Sequence, residues 1–223
     1  MLETEFDQYI RSIELRKNDN MGDQYPFSLK AIKELTKLNM HPNVTFIVGE
    51  NGSGKSTLLE AIAVTYGFNP EGGSKNFNFA TNSTHSMLHE YIHITKGVKR
   101  AQDGYFLRAE SFYNVASNID QLDKESSGGV PIIDSYGGRS LHEQSHGESF
   151  VSLLMNRFGG NGLYILDEPE AAHSPIVMSY PNATIYCIDN KYSRVKYKDT
   201  EHYQVMSNFL NNTQRMLDIL MED

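Results

Sequence analysis

The chain is short of cysteine, of long apolar runs and of positive charge, and each shortage removes a class of protein. Its only cysteine is Cys187. No internal disulfide is available, and a lone thiol inside the apolar run 183–188 suits a reducing cytoplasm. No stretch approaches the roughly 20 consecutive apolar residues that cross a bilayer, so membrane insertion is not expected. Residues 1–6 carry acidic rather than basic side chains, unlike a secretory signal or a transit peptide. Lys and Arg total 20 against 28 Asp and Glu, a net charge of −8. A self-sufficient nucleic-acid binder usually shows a basic excess or stripe. Binding to nucleic acid would therefore need a local patch or a partner. Internal repeats and low-complexity tracts are also missing.

What remains is enough for a real core: 223 residues, 39% of them hydrophobic. That size suits one α/β domain spanning 1–223, with a small helical and loop subregion at about 69–148. The apolar alternation at 10–15 predicts a strand. Residues 27–38 fit either a strand and turn or a short helix. The β-branched run 44–48 predicts a buried parallel strand, and 58–66 a helix. Gly, Asn and Ser at 69–86 predict loop. Residues 87–95 are helical or extended, 105–107 a short strand, and 112–122 a helix. The Gly/Ser-rich stretch 125–138 predicts a loop. A helix at 148–158 is stopped by Gly159 and Gly160. Residues 163–166 form a second buried strand, with further strands at 183–189 and 194–197. Helices at 201–210 and 214–221 follow, the second capped by Thr213.

Between the first buried strand and its helix stands Gly49-Glu50-Asn51-Gly52-Ser53-Gly54-Lys55-Ser56-Thr57, which fits G-x-x-x-x-G-K-[ST]. Triphosphate oxygens need several backbone N–H groups converging at short range. Side chains would block that approach, so Gly52 and Gly54 keep the loop bare. The following helix adds its positive end. Lys55 is placed to reach the β- and γ-phosphates, and Ser56 to put a hydroxyl on Mg²⁺. A plain glycine-rich turn would not need the whole pattern in this strand–loop–helix setting.

The second apolar strand runs into Asp167-Glu168-Pro169-Glu170. In open α/β sheets ligands bind at the carboxyl ends of strands, where Asp167 would hold Mg²⁺ directly or through water. Glu168 would orient and deprotonate the attacking water. Alone, the pair is equally well read as a strand leaving into a polar turn; beside a complete phosphate loop it predicts hydrolysis of ATP with magnesium.

The loop and the Leu166-Asp167-Glu168-Pro169-Glu170 run together resemble the ABC-type ATPase superfamily. Within it the chain is similar to small bacterial AAA-labelled ATPases through residues 66–75, 106–112, 141–150 and 199–203. The resemblance implies a P-loop NTPase of ABC-type head, with a mixed, mostly parallel sheet flanked by helices. It implies a head-to-tail homodimer that sandwiches two ATP molecules. In such dimers a signature loop caps the neighbour's γ-phosphate; here Ser145 and Gly147 take that place. The signature departs from Ser-Gly-Gly-Gln at His146 and Glu148, and an ordinary helix cap closed by Ser145 and Glu148 is the competing reading. Glu110 stands where the family's sensing glutamine is expected, or is simply a surface carboxylate. His173 matches the switch histidine that touches the γ-phosphate. It follows Asp167 by only six positions, however, where the family inserts a turn, a helix and a parallel strand. A parallel crossover needs a dozen or more residues. Either a segment between Glu170 and Ser174 is deleted, or residues are missing from the sequence there. The intact continuation at 177–223 favours missing residues.

These readings lead to a cytoplasmic ATPase that switches conformation in a dimer. Two alternatives stay open: a slow-turnover switch controlling an effector protein such as a nuclease or toxin, and the motor subunit of a transporter.

Overall fold

The computed structural model describes residues 8–17, 21–75, 86–108, 112–125, 128–167, 175–189 and 191–215. Nine strands are described: β1 (Ile10–Leu15), β2 (Lys37–Asn39), β3 (Thr45–Gly49), β4 (Gly73–Ser74), β5 (Ile92–Lys96), β6 (Asp103–Arg108), β7 (Gly162–Asp167), β8 (Thr184–Ile188) and β9 (Tyr192–Val195). The helices are α1 (Lys30–Lys33), α2 (Lys55–Tyr66), α3 (Phe112–Glu125), α4 (His146–Asn156), α5 (Pro175–Met178) and α6 (Glu201–Asn211). Residues 27–38, open between two readings, contain α1 and β2. Short 3-10 helices occupy Met87–Glu90 and Ile132–Tyr136, the second inside the stretch expected to be loop. Asp123 explains it, because its carboxylate accepts the Ile132 and Ile133 N–H groups at 2.6 and 2.8 Å.

The expected mostly parallel sheet is not what forms among the described residues. Three small sheets occur, in the orders β2-β1-β5, β3-β8-β9 and β4-β6-β7. The first is wholly antiparallel. In the other two only β3–β8 and β6–β7 run parallel, with β9 and β4 added antiparallel. The physical reason lies in the connections. A parallel neighbour needs a long crossover; the 53 residues between β6 and β7 supply one, whereas β9 follows β8 after three residues and can only turn back antiparallel. Among the described residues, β3 is hydrogen-bonded only to β8, and β7 only to β6. The two motif-bearing strands are thus not paired to each other. β3 was expected to be buried, but all five of its residues are half-buried.

Alternation along β6 and β7 divides the core. Phe106, Leu163 and Ile165 face α2, where they meet Leu58, Ala61 and Ile62 in a cluster shared with Ile13, Ile32, Ile94 and Ile188. Tyr105, Leu107, Tyr164 and Leu166 face the opposite way, onto Val115 and Ile119 of α3 and Leu153 of α4. A strand covered on both faces must be apolar along its length, which is why this segment reads as an unbroken apolar run. Helix α2 ends where Gly67 and Phe68 donate back to the Ala63 carbonyl at 3.1 and 2.9 Å, a left-handed glycine stop.

Candidate nucleotide-binding site

The chain leaves β3 at Gly49 and enters α2 at Lys55. Gly52 and Gly54 have φ of 74° and 97°, a left-handed backbone that costs a side-chain-bearing residue about 1–2 kcal/mol. The loop rests on the segment before α1. A Cβ on Gly54 would stand 3.0 Å from Leu29 Cβ, and the Ala31 N–H donates to the Ser53 carbonyl at 2.8 Å. Lys30 lies 3.7 Å from Glu50 Oε2 and 3.5 Å from Asp189 Oδ1, tying loop, α1 and the end of β8 together. Glu50, Asn51 and Gly52 are exposed, while Ser56 and Thr57 are half-buried.

Three observations test the loop for an anion. Gly54 caps α2 with no side-chain hydrogen bond, so the first-turn N–H groups lack the side-chain acceptor that usually serves them. Lys55 Nζ donates to the Gly49 and Glu50 carbonyls at 2.8 and 2.7 Å, so the described structure gives it neutral acceptors and no carboxylate. Ser53 Oγ is buried without a hydrogen-bond partner, an arrangement that costs about 1–3 kcal/mol if nothing fills it. Donors without anionic partners, on a loop with open space at Gly52, fit a chain of phosphates.

Asp167 ends β7 with only 5% of its surface exposed. No cluster of three or more His, Cys, Asp or Glu side chains suited to a metal occurs among the described residues. A cation here would rest on the Ser56 hydroxyl and Asp167 together with phosphate and water oxygens, the sparse protein donor set that Mg²⁺ uses.

Sequence reasoning did not find the ion pair beneath this site. Arg108 Nη1 lies 2.8 Å from Glu60 Oε2, with side-chain exposures of 20% and 7%. Glu60 Oε1 accepts the Ser86 N–H at 2.9 Å, and Arg108 Nη1 donates to the Pro70 carbonyl at 3.2 Å. The available signal was a carboxylate set between Leu59 and Ala61 of an apolar helix.

Ser145 and Glu148 form the reciprocal cap of α4. Ser145 Oγ accepts the Glu148 N–H at 3.3 Å, and the Glu148 carboxylate accepts the Ser145 N–H at 2.9 Å. Gly147 lies in the first turn of α4. Glu110, Glu168 and His173, with the whole junction 168–174, lie outside the described residues.

An AAA domain family matches residues 27–132, which takes in the loop, α2 and β6. The chain is 27% identical over 186 residues to the phosphate import ATP-binding protein PstB 1 of Streptococcus agalactiae, in serotype III, serotype V and serotype Ia strains. Each alignment covers 74% of this chain and 72% of the relative. No solved structure matches the chain. The loop geometry, the AAA domain match and the distant transporter-subunit likeness agree in direction: all three point to an ABC-type P-loop ATPase family.

Proposed function

We propose that the protein binds ATP with magnesium and hydrolyses it in a head-to-tail dimer whose opening and closing is the output. The observation that carries this reading is the phosphate loop, where Lys55 holds only carbonyls and a buried Ser53 hydroxyl waits unpartnered. On binding, Lys55 exchanges the Gly49 and Glu50 carbonyls for β- and γ-phosphate oxygens. The loop amides between Gly52 and Ser56 accept the same charge at the positive end of α2. Ser56 and Asp167 would hold the cation, which would supply neutralisation of the phosphate charge. Glu168 takes the proton of the attacking water, and His173 and Glu110 act near the γ-phosphate.

Support for the dimer comes from the helix that Ser145 opens. On α4, Val151 and Met155 are 56% and 78% exposed, one turn apart on one face. Large apolar side chains left in water beside a signature loop suit an interface with a second copy. No helix among the described residues is long and apolar enough to cross a membrane. A second reading, the motor of a membrane transporter, draws on the phosphate-import relatives; a membrane protein co-purifying from the native host would favour it. A slow-turnover switch on an effector protein would instead show tight ATP binding with little steady-state hydrolysis.

The test is calorimetry with MgATP on the chain and its Lys55→Ala variant. Binding by the first and none by the second is expected. Equal affinity overturns the reading.

A further inference from the structure

The two halves of the metal site each lie beside one half of the buried ion pair. Ser56 and Glu60 are four residues apart on α2, and side chains at that spacing lie on one face of a helix. Asp167 and Arg108 are matched in register on the parallel strands β7 and β6, and matched residues on neighbouring strands project to the same side of the sheet. Arg108 and Glu60 then meet at 2.8 Å. A closed path results: Ser56 to Glu60 along the helix, Glu60 to Arg108 across the ion pair, Arg108 to Asp167 across the sheet.

Further contacts hold the pair in place. Glu60 is 5% exposed, and its second oxygen receives the Ser86 N–H. Arg108 reaches the Pro70 carbonyl. Since β3 and β7 share no hydrogen bonds in the described structure, sheet pairing does not set the distance between the phosphate-loop helix and the Asp167 strand. Apolar contacts between α2 and β7 hold the two together, but such contacts slide more readily than a hydrogen-bonded charge pair, because they are non-directional.

We propose that the Arg108–Glu60 pair is a positioning brace for the metal-binding half of the nucleotide site, setting Ser56 against Asp167. Both residues act as positioning groups, through Ser56 and Asp167. The proposal rests on the MgATP reading above, and it separates two properties of the site. Phosphate binding by the loop is local to residues 49–57 and independent of the brace. The gain in affinity that magnesium adds requires Ser56 and Asp167 at a set separation, and so requires the brace. Residues that orient metal ligands typically change metal affinity about 10- to 100-fold when altered.

The experiment measures ATP affinity with excess magnesium and with EDTA, on the full chain and three variants. Thermal unfolding confirms that each is folded. The variants are Glu60→Gln, Arg108→Lys and the apolar pair Glu60→Met with Arg108→Met, since replacing both partners of a buried pair by apolar groups is often neutral for stability. The expected result is unchanged affinity in EDTA and a magnesium gain reduced about 10- to 100-fold in the double variant. Arg108→Lys presents a point charge in place of the planar fork, and it is expected to lose part of the gain. If the double variant does not fold, Arg108→Lys decides. An undiminished magnesium gain in any folded variant overturns the brace. So does an equal loss of affinity with and without magnesium, which would mean general damage to the loop. No ATP binding by the unaltered chain overturns the nucleotide reading and the brace together. ATP binding with no magnesium gain overturns the brace alone.

Discussion

Ser145 and Glu148 hold each other in a closed cap. The Ser145 hydroxyl, besides accepting the Glu148 N–H, lies 2.8 Å from the Glu148 carboxylate and donates to it. The Ser145 N–H and hydroxyl, in that order, keep the Glu148 carboxyl below the usual glutamate range. The hydroxyl expected to meet a neighbour's γ-phosphate is thus committed to its own helix in the absence of a second copy. Capping and signature roles make different demands on Ser145.

A cap-preserving change separates them. Asn is as good a cap as Ser, whereas Ala in its place costs about 1 kcal/mol. Ser145→Asn is expected to keep the thermal midpoint and the ATP affinity while turnover is lost, and Ser145→Arg is expected to lose turnover likewise. Hydrolysis at the unaltered rate in Ser145→Asn would leave capping as the whole role of Ser145.

Glu168→Gln is expected to bind ATP and accumulate as a dimer. The carboxylate base is gone, while the phosphate loop and the signature contacts remain. Size-exclusion chromatography with multi-angle scattering reads the outcome directly. A monomer with and without ATP, at concentrations where ATP is bound, counts against the sandwich.

The parts of the fold legible in the sequence were those whose signal is local. The strand Ile10–Leu15 appears with the bounds its alternation gave. The helix after the loop is present but begins three residues earlier, at Lys55 rather than Leu58, because polar first-turn residues carry no apolar period. β6 and β7 extend past their apolar centres to Arg108 and Asp167, since ladder pairing continues to the charged ends. Sheet organisation was not legible: whether β3 and β7 share a neighbour depends on contacts between distant segments. The strand–loop–helix setting of residues 49–57 was legible because its signal is carried by consecutive residues. The Arg108–Glu60 pair was not, as its partners are 48 positions apart and each alone reads as an ordinary charge.

At the other end of β6 and β7 a second polar knot clamps the strands. Arg157 Nη1 donates to Asp103 Oδ1 and Oδ2 at 2.9 and 3.0 Å, and the Tyr164 hydroxyl donates to Asp103 Oδ2 at 3.0 Å. Burial alone would raise the Asp103 carboxyl, but the Gly104 N–H, Arg157 and Tyr164 outweigh it and hold it below its ordinary value of 3.8. A carboxyl depressed on folding adds stability above its unfolded-state value and loses it as pH falls through the folded-state value. The knot is therefore at full strength near neutrality and weakens in acid below the ordinary aspartate range. Asp103→Asn is expected to cost about 1–3 kcal/mol near pH 7 and to flatten the acid limb of the stability profile. Urea unfolding across the acid range checks it; a variant with the same acid limb as the unaltered chain places the titrating group elsewhere.

Two glycines of the phosphate loop make a matched pair of opposite consequence. A Cβ on Gly49 would stand 2.9 Å from the Ile188 carbonyl oxygen and 3.2 Å from Ile188 Cβ, where β3 and β8 pair Gly49 with Ile188. Neither backbone can yield without opening the ladder, so Gly49→Ala is expected to destabilise by about 1–3 kcal/mol, as overpacking does. A Cβ on Gly52 would meet nothing within 4 Å. Its only cost to the fold is the left-handed backbone at φ 74°, about 1–2 kcal/mol. That open space is where phosphate oxygens must come within hydrogen-bond range of bare amides. Gly52→Ala is thus expected to stay folded yet to weaken ATP binding by at least about tenfold, or 1.4 kcal/mol. Gly49→Ala is expected to show the larger loss of stability. Thermal unfolding and calorimetry on both variants read the contrast. ATP bound at full affinity by Gly52→Ala would mean that the phosphates do not lie over Gly52, and the loop would have to be assigned another ligand.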